Sequence, residues 1–458
     1  MSTASSDTPA ATPPPTAPGE GHLRRVLGVP SLVLFGLVYI VPLTVFTTYG
    51  IVVQASGGRL AVSYLVTLAA MVFTARSYAR MAAAYPVAGS TYAYTQRTFG
   101  PPIGFLAGWS LLLDYLLLPM LNYLVIGIYL NAAIPAVPAW VFVLATIVIV
   151  TVLNIIGIVS VARANVLIIA MQAVFIVVFL VLAFVTLSHS GTVDLMAPLT
   201  GDGTAPGLSP VLAGAAILCL SFLGFDAVST LSEEANEPTR SVPRAIMIAT
   251  ITAGVMFVVL SYVSQLVYPS NNFADVDAGS LDVMVTAGGK FLETFFTAAY
   301  VAGALGSAIT SQASVARILY AMGRDGILPR PVFGHIPPRF TTPTYAILVV
   351  SVISLAAIWV DLTKLASIVS FGALVAFSAV NLTVIKHYFV DAGERGGGGF
   401  VNNLVLPLIG FGLTVWLWFS LSGYALVFGL CWFAIGFLWL LVVTRAFSRP
   451  TPVLAMED

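Results

Sequence analysis

The feature that most constrains this chain is a series of long apolar stretches, separated by short polar loops, that runs from Val29 almost to the C-terminus. A helix needs about 20 apolar residues to cross the hydrocarbon core of a bilayer. Of all residues 59% are hydrophobic and only 8% are charged, against about 25% charged in a soluble domain. The chain cannot cover this apolar surface in water, so the sequence predicts a polytopic all-α membrane protein.

The pattern predicts twelve transmembrane helices. A tail at residues 1–24, rich in Pro, Ala, Ser and Thr, is predicted to be disordered; it is not a signal peptide, because no charged region precedes an apolar one. The predicted spans are 30–55, 60–84, 101–132, 138–158, 164–188, 209–235, 243–267, 291–320, 343–360, 365–388, 403–421 and 424–445.

Lysine and arginine predict the orientation of these spans. Sixteen of the 19 basic residues fall on one side of the alternation, and Arg59, Lys290 and Lys364 fall on the other. Loops rich in Lys and Arg stay in the cytoplasm. We therefore expect a multi-pass protein of the plasma (inner) membrane with both termini in the cytoplasm.

Two of the predicted spans contain an interruption. Pro42 lies in the first, where Thr44, Thr47 and Thr48 can satisfy backbone groups that the proline frees, and Gly224 lies in the sixth. Either residue alone could mark a simple kink. The spans are five apart, however, and a repeat of five spans is inverted across the membrane. Paired broken helices of this kind are typical of transporters with a binding site at the midplane.

Two acidic residues are predicted to lie near the bilayer centre. Asp114 follows Pro101 by thirteen residues, which is about 20 Å of helix, and Asp226 lies at the sixth-span break. An acidic residue at this depth costs about 2.5–3.5 kcal/mol, which makes it a candidate functional residue. The alternative is a protonated Asp bonded to a neighbouring helix. No Lys or Arg falls in the inner third of any predicted span, so a pair of acids facing a cavity would suit a cation, and either could carry a proton.

Aromatic residues accompany these acids. Tyr115, Phe222, Phe225 and Tyr300 could flank an ammonium group through cation–π contacts, although ordinary packing would explain each of them. The stretch SEEANEPTRSVPRAI, with Glu233 and Glu234, could form the salt bridges of an inner gate, or its charges could simply be solvated.

The motifs PLTVFTTYGIV, AGWSLLLDYLLLPM, LSFLGFDAVSTLSEE, ASVARILYAMGRDGILP and SFGALVAFSAVNL resemble those of the amino acid–polyamine–organocation transporter superfamily. Within it the chain most resembles bacterial putrescine importers of the polyamine:proton symporter type. The resemblance implies a substrate site among the first, third, sixth, eighth and tenth helices. It also implies two inverted five-helix repeats and two extra helices. The implied units are 25–190, 205–390 and 400–446, with a tail at 447–458.

Two departures from the family pattern bear on substrate and coupling. Amino acid permeases usually carry a Gly-Ser-Gly-like run at the first break, whose amides receive the substrate carboxylate. Here that position holds 42–46, PLTVF, which favours a diamine. Some proton-coupled relatives carry a lysine in the fifth helix, where this chain has Met171 and Gln172. Proton coupling would then use Asp114, Asp226 or a cytoplasmic Glu, and Ser307, Thr310 and Ser311 could instead bind sodium, which we consider less favoured.

The sequence thus predicts a secondary transporter that imports putrescine or a related polyamine by proton symport with alternating access. It predicts no cofactor, metal or nucleic-acid partner. Asp226 would bind one ammonium group, Asp114 the other or the proton, and Thr44, Thr47 and Gly224 would line the site. An amino acid permease or exchanger is the main alternative. A membrane enzyme is disfavoured because HExxH and nucleotide-binding loops are absent. The oligomeric state is not predicted.

Overall fold

A computed structural model describes residues 26–87, 90–157, 161–203, 205–324, 326–336 and 342–451. The predicted N-terminal tail, and the C-terminal tail beyond residue 451, lie outside these ranges. Within them the regular structure is helical, apart from one isolated β-bridge between Leu27 and Ala235. The all-α prediction is therefore confirmed.

Eleven helical segments are long and apolar enough to cross a bilayer, and the shorter apolar helix Thr344–Ile358 lies where the ninth span is expected. We number them as spans 1 to 12. In order they are Val29–Phe46 with its continuation Tyr49–Ala55, Leu60–Ala84, Pro101–Ala133, Ala139–Ile156, Val161–His189, Ser209–Glu234, Pro238–Val267, Ser280–Arg324, Thr344–Ile358, Leu362–Asp391, Gly397–Phe419 and Gly423–Val443.

Several boundaries differ from the prediction, and one helix was not predicted. Span 8 has an additional segment before residue 291: a helix begins at Ser280 and turns at Gly288 and Gly289, whose φ/ψ angles are not helical. Span 11 begins at Gly397, six residues earlier than predicted. A further helix, Ser90–Phe99, joins spans 2 and 3. Its mixed polar sequence is too hydrophilic for a span, which is why the apolar pattern did not reveal it.

The packing of the spans follows an internal repeat. Span 2 lies along span 7, and span 3 lies along span 8. Span 1 contacts span 7 as span 6 contacts span 2, and span 3 contacts span 10 as span 8 contacts span 5. Adding or subtracting five converts each contact into its counterpart, as expected of two five-span units of opposite orientation. The boundaries 25–190 and 205–390 stay predictions.

Spans 11 and 12 pack outside this core, against span 10 among others. One fixed contact joins span 12 to span 3: the Trp109 indole donates to the Trp432 carbonyl at 3.0 Å, and the Trp432 indole donates to the Trp109 carbonyl at 2.8 Å. We call the side where spans 1 and 7 begin and span 2 ends the arginine-rich side, because Arg76, Arg80 and Arg240 lie there.

Candidate functional site

The predicted breaks in spans 1 and 6 are both present, and they touch. The first helix of span 1 ends at Ile40, Val41 adopts φ 55°, and a 3₁₀ turn runs over Pro42–Phe46. In span 6, Gly224 has φ 119° between two 3₁₀ segments. A Cβ on Gly224 would lie 3.0 Å from the backbone nitrogen of Ile40. The absence of a side chain at Gly224 therefore lets the two breaks meet.

Side-chain hydroxyls satisfy the broken backbone of span 1, as predicted for Thr44. Its Oγ1 donates to the carbonyl of Ile40 at 3.1 Å and to that of Val41 at 2.8 Å. Both carbonyls lie where the first helix of span 1 ends, and the Thr44 side chain supplies a hydrogen-bond donor there. Thr47 instead bonds the hydroxyl of Tyr300 in span 8. The broken segment is thus held by its own side chains on one face and by span 8 on the other.

A cavity lies beside the span 1 break, between spans 1, 3, 6 and 8. Thr44, Thr47 and Tyr300 line it, as predicted, and so do Asn122 of span 3 and Ser307 of span 8. The Asn122 amide donates to Ser307 Oγ at 3.1 Å. Hydroxyl and amide groups here can accept hydrogen bonds from an ammonium group, while Leu118, Leu121 and Leu223 offer an apolar wall suited to a methylene chain.

The two predicted acids lie together in the protein interior. Asp226 is 5% exposed and Asp114 is 6% exposed, and each carboxylate lies within electrostatic range of the other. Asp226 Oδ1 accepts the Gly224 N–H at 3.2 Å. Oδ1 of Asp114 has no hydrogen-bond partner among the described residues. Buried polar atoms are nearly always bonded, so this oxygen marks a place for a proton or a cationic ligand.

Tyr39, which the sequence analysis did not single out, connects the acids to the cavity. Its side chain lines the cavity. Its hydroxyl interacts with Tyr115 and lies within electrostatic range of both Asp226 and Asp114. The acids do not themselves line the cavity. Tyr39 is therefore the residue that both lines the cavity and interacts electrostatically with the acids.

The predicted aromatic residues divide into two sets. Tyr300 lines the cavity and Tyr115 contacts Tyr39. The other two pack against neighbouring spans. Phe222 packs edge-on against Phe257 of span 7, with ring centroids 5.4 Å apart, and Phe225 packs against Phe377 of span 10 at 5.2 Å. Neither residue lines the cavity at the span 1 break, and their part in substrate binding stays a prediction.

The predicted coupling hydroxyls line a second cavity, which continues from Tyr39 between spans 1, 5 and 8. Ser307 borders both cavities, and Thr310 and Ser311 border the second. The Thr310 hydroxyl donates to the Gly306 carbonyl at 3.0 Å, and that of Ser311 donates to the Ser307 carbonyl at 2.7 Å. Gln172 Oε1 lines this space without a described partner. Among the residues described, no three His, Cys, Asp or Glu side chains converge as metal ligands.

The predicted inner-gate stretch makes backbone contacts with the chain before span 1. The Glu234 carbonyl accepts the N–H groups of Val26 at 2.9 Å and Leu27 at 3.0 Å, and the Asn236 N–H donates to the Leu27 carbonyl at 3.0 Å. Glu233 lies in the same 3₁₀ segment. These bonds tie the start of span 1 to the end of span 6.

The opposite side of the molecule is closed by aromatic side chains. Phe46 packs edge-on against Phe179 at 5.7 Å and Phe296 at 5.4 Å, all fully or almost fully buried. The Tyr129 hydroxyl donates to the Phe46 carbonyl at 2.9 Å. Tyr300, which lines the cavity at the span 1 break, packs against this cluster, with ring centroids 4.7 Å from Tyr129 and 5.4 Å from Phe296.

Comparisons with known proteins show which family this sequence matches and which proteins it is similar to. The Amino acid permease family model matches residues 31–389. The low-affinity putrescine importer PlaP of Escherichia coli (strain K12) is 38% identical over 438 residues, covering 94% of this chain and 96% of the importer. The branched-chain amino acid permease BcaP of Bacillus subtilis (strain 168) is 29% identical over 392 residues, covering 80% and 82%. The methylthioribose transporter of the same organism is 27% identical over 453 residues, covering 93% and 95%.

Proposed function

We propose that this chain, which belongs to the amino acid permease family, is a transporter for putrescine or a closely related diamine. It would import this substrate by proton symport. One observation carries this proposal: two buried carboxylates lie within electrostatic range of each other near the broken spans, and none of the described ion pairs joins either of them to a Lys or Arg. Burying two such charges is costly unless a cation or protons accompany them.

The proposed site offers polar groups at two places for a substrate with two charged ends. Asp226 would hold one ammonium group, with Tyr39 within electrostatic range of it, and Asp114 would carry the proton. The methylene chain would lie along the apolar wall. The side-chain oxygens of Thr47, Asn122 and Tyr300 would accept hydrogen bonds from the second ammonium group. Similarity to a putrescine importer over nearly the whole chain supports this assignment.

An α-amino carboxylate would find few free donors at the span 1 break. Pro42 has no N–H, the Val41 N–H donates to the Val38 carbonyl at 3.3 Å, and the Thr44 N–H donates to the Val41 carbonyl at 2.9 Å. Similarity to a branched-chain amino acid permease keeps an amino acid as the second candidate. The occupied amides favour the diamine.

Proton coupling and orientation form the finer part of the proposal. A proton on Asp114, whose Oδ1 lacks a described partner, would travel inward with the substrate in each cycle. The sixteen-to-three distribution of basic residues favours termini in the cytoplasm of the plasma membrane. Substrate would enter from the side that the aromatic cluster now closes.

The deciding experiment is uptake of radiolabelled putrescine into proteoliposomes with an imposed pH gradient. We expect uptake that an inward proton gradient drives, that a protonophore stops, and that cadaverine inhibits more than leucine does. Asp226→Asn should lower uptake at least tenfold, because a lost charge-assisted hydrogen bond costs about 1.5–3 kcal/mol.

Asp361→Asn is the matched control. Asp361 is an exposed carboxylate that caps span 10 and pairs with Lys364, and Asn preserves the cap, so uptake should persist. Inhibition by leucine but not by diamines would refute the diamine proposal. Sodium-driven uptake at equal pH would refute proton coupling. The candidate sodium ligands would then be Ser307, Thr310 and Ser311.

A further inference from the structure

A groove on the arginine-rich side, away from the transport site, runs between spans 2 and 7. Three arginines line it: Arg76 and Arg80 from span 2 and Arg244 from span 7. Pro243, Met247 and Ile248 form its apolar part. Three like charges on one face of a helix pair repel one another, so their convergence in one groove requires a counter-charge.

Arg76 and Arg80 are fixed in place and still have unused donors. Nη2 of Arg76 donates to Asn402 Oδ1 at 2.6 Å, and Nη2 of Arg80 donates to Asn403 Oδ1 at 2.6 Å. The Arg80 guanidinium also lies 4.1 Å from the centre of the Tyr388 ring. The Nε atoms of both arginines are buried and have no hydrogen-bond partner in the described part of the chain.

Negative charge near the groove is scarce. The one carboxylate ion-paired with these arginines within the described ranges is that of Glu394, which lies 3.8 Å from Arg80 and is half-exposed. The Arg244 side chain has no described hydrogen bond or ion pair, and it is solvent-facing. At least two positive charges therefore remain without compensation by the described protein.

The depth of the arginines matches the headgroup region of a membrane. Arg80 lies four residues before the end of span 2 at Ala84, and Arg244 lies six residues after the start of span 7 at Pro238. These offsets correspond to about 6 and 9 Å of helix. One turn deeper, Ile248 is 45% exposed, as expected of a surface that contacts acyl chains.

We propose that this groove binds the phosphate headgroup of an anionic phospholipid, with the acyl chains lying along Met247 and Ile248. Basic pockets between helices at membrane surfaces suit such headgroups, and guanidinium groups pair with phosphate through two parallel hydrogen bonds. The exposed Arg244 guanidinium supplies the hydrogen-bond donors, and the guanidinium groups of Arg76 and Arg80 add positive charge to the groove. Because spans 2 and 7 pack against the broken spans 6 and 1, bound lipid would stabilise the scaffold behind the transport site.

The test measures lipid binding by the purified full-length protein in a neutral detergent. Native mass spectrometry counts retained phosphatidylglycerol, and thermal unfolding is followed with added phosphatidylglycerol or phosphatidylcholine. We expect the anionic lipid to be retained and to raise the melting temperature more than phosphatidylcholine does. Arg244→Gln should weaken retention about fivefold, which corresponds to about 1 kcal/mol per basic residue.

Arg240→Gln is the matched control, because Arg240 lies one turn earlier on the same helix, is 75% exposed and pairs with Glu237 at 3.9 Å; it should retain lipid like the wild type. Arg244→Lys should bind more lipid than Arg244→Gln. Equal protection of the wild type by both lipids would overturn the proposal without any variant. Equal protection by inorganic phosphate and phosphatidylglycerol would also overturn it, since the groove would then bind a soluble anion.

Discussion

Gly224 permits the closest contact between the two broken spans. Its φ of 119° is unfavourable for any residue with a Cβ, and an added Cβ would also overlap the Tyr39 ring. We expect Gly224→Ala to destabilise the protein by about 1–3 kcal/mol and to abolish putrescine uptake. Gly412→Ala is the control, because its Cβ would meet no atom within 4 Å. Equal melting temperatures and equal uptake for the two variants would contradict this account.

Tyr39 provides a second test at the scale of one residue. Tyr39→Phe removes the hydroxyl that bonds Tyr115 and lies within electrostatic range of the two acids, while keeping the ring. A hydrogen bond of this kind contributes about 1 kcal/mol, so KM for putrescine should rise about fivefold with a smaller change in kcat. Tyr345→Phe, at an exposed position of span 9, should leave both constants unchanged. A kcat loss at constant KM would instead place Tyr39 in the conformational step.

Individual site residues were predictable where their chemistry is unusual for a membrane. Asp114 and Asp226 stand out as acids in apolar runs, and the structure brings them together. Asn122 follows Asp114 by eight residues and so lies close to the same helix face. The sequence could therefore have predicted that Asn122 lies near the site. No feature of the sequence marked Tyr39 as a site residue. Its role depends on contacts with spans 3 and 6, and the rotation of these spans about their axes is set by packing.

Elements were predictable where backbone chemistry forces an interruption. Pro42 and Gly224 marked both breaks because proline removes a donor and glycine tolerates positive φ. The bend at Gly288 and Gly289 was missed, since the apolar pattern resumes only after it.

The span 1 break gives a prediction for a whole element. Thr44→Val removes the hydroxyl that satisfies the Ile40 and Val41 carbonyls but keeps the branched shape. Hydrogen bonds inside membrane proteins contribute about 0.6 kcal/mol on average, so thermal stability should fall slightly while uptake falls several-fold as the break loses its geometry. Thr44→Ser, which retains the hydroxyl, should restore most of the uptake. Equal uptake by the Val and Ser variants would show that the hydroxyl is dispensable.

At the scale of the whole molecule, the odd spacing of two breaks predicted an inverted repeat, and the exchange of contacts between spans 1 and 7 and spans 6 and 2 agrees with it. The sequence could not indicate which ends of the repeats meet. The structure joins the start of span 1 to the end of span 6 through backbone bonds of Leu27 with Glu234 and Asn236, which form a bridge between Leu27 and Ala235. If transport proceeds by alternating access, these segments must separate in each cycle.

A reversible cross-link tests that requirement. Residues facing each other across a β-bridge are close enough for a disulfide, so Leu27→Cys with Ala235→Cys should form one on oxidation, in a background carrying Cys219→Ala and Cys431→Ser. We expect oxidation to stop putrescine uptake and a reductant to restore it, because the bond prevents the arginine-rich side from opening. Each single-cysteine variant should transport equally with and without oxidant. Uptake at the full rate by fully cross-linked protein would mean that this contact persists throughout the cycle. The path to the arginine-rich side would then open elsewhere, for example between spans 1 and 5, where the second cavity lies.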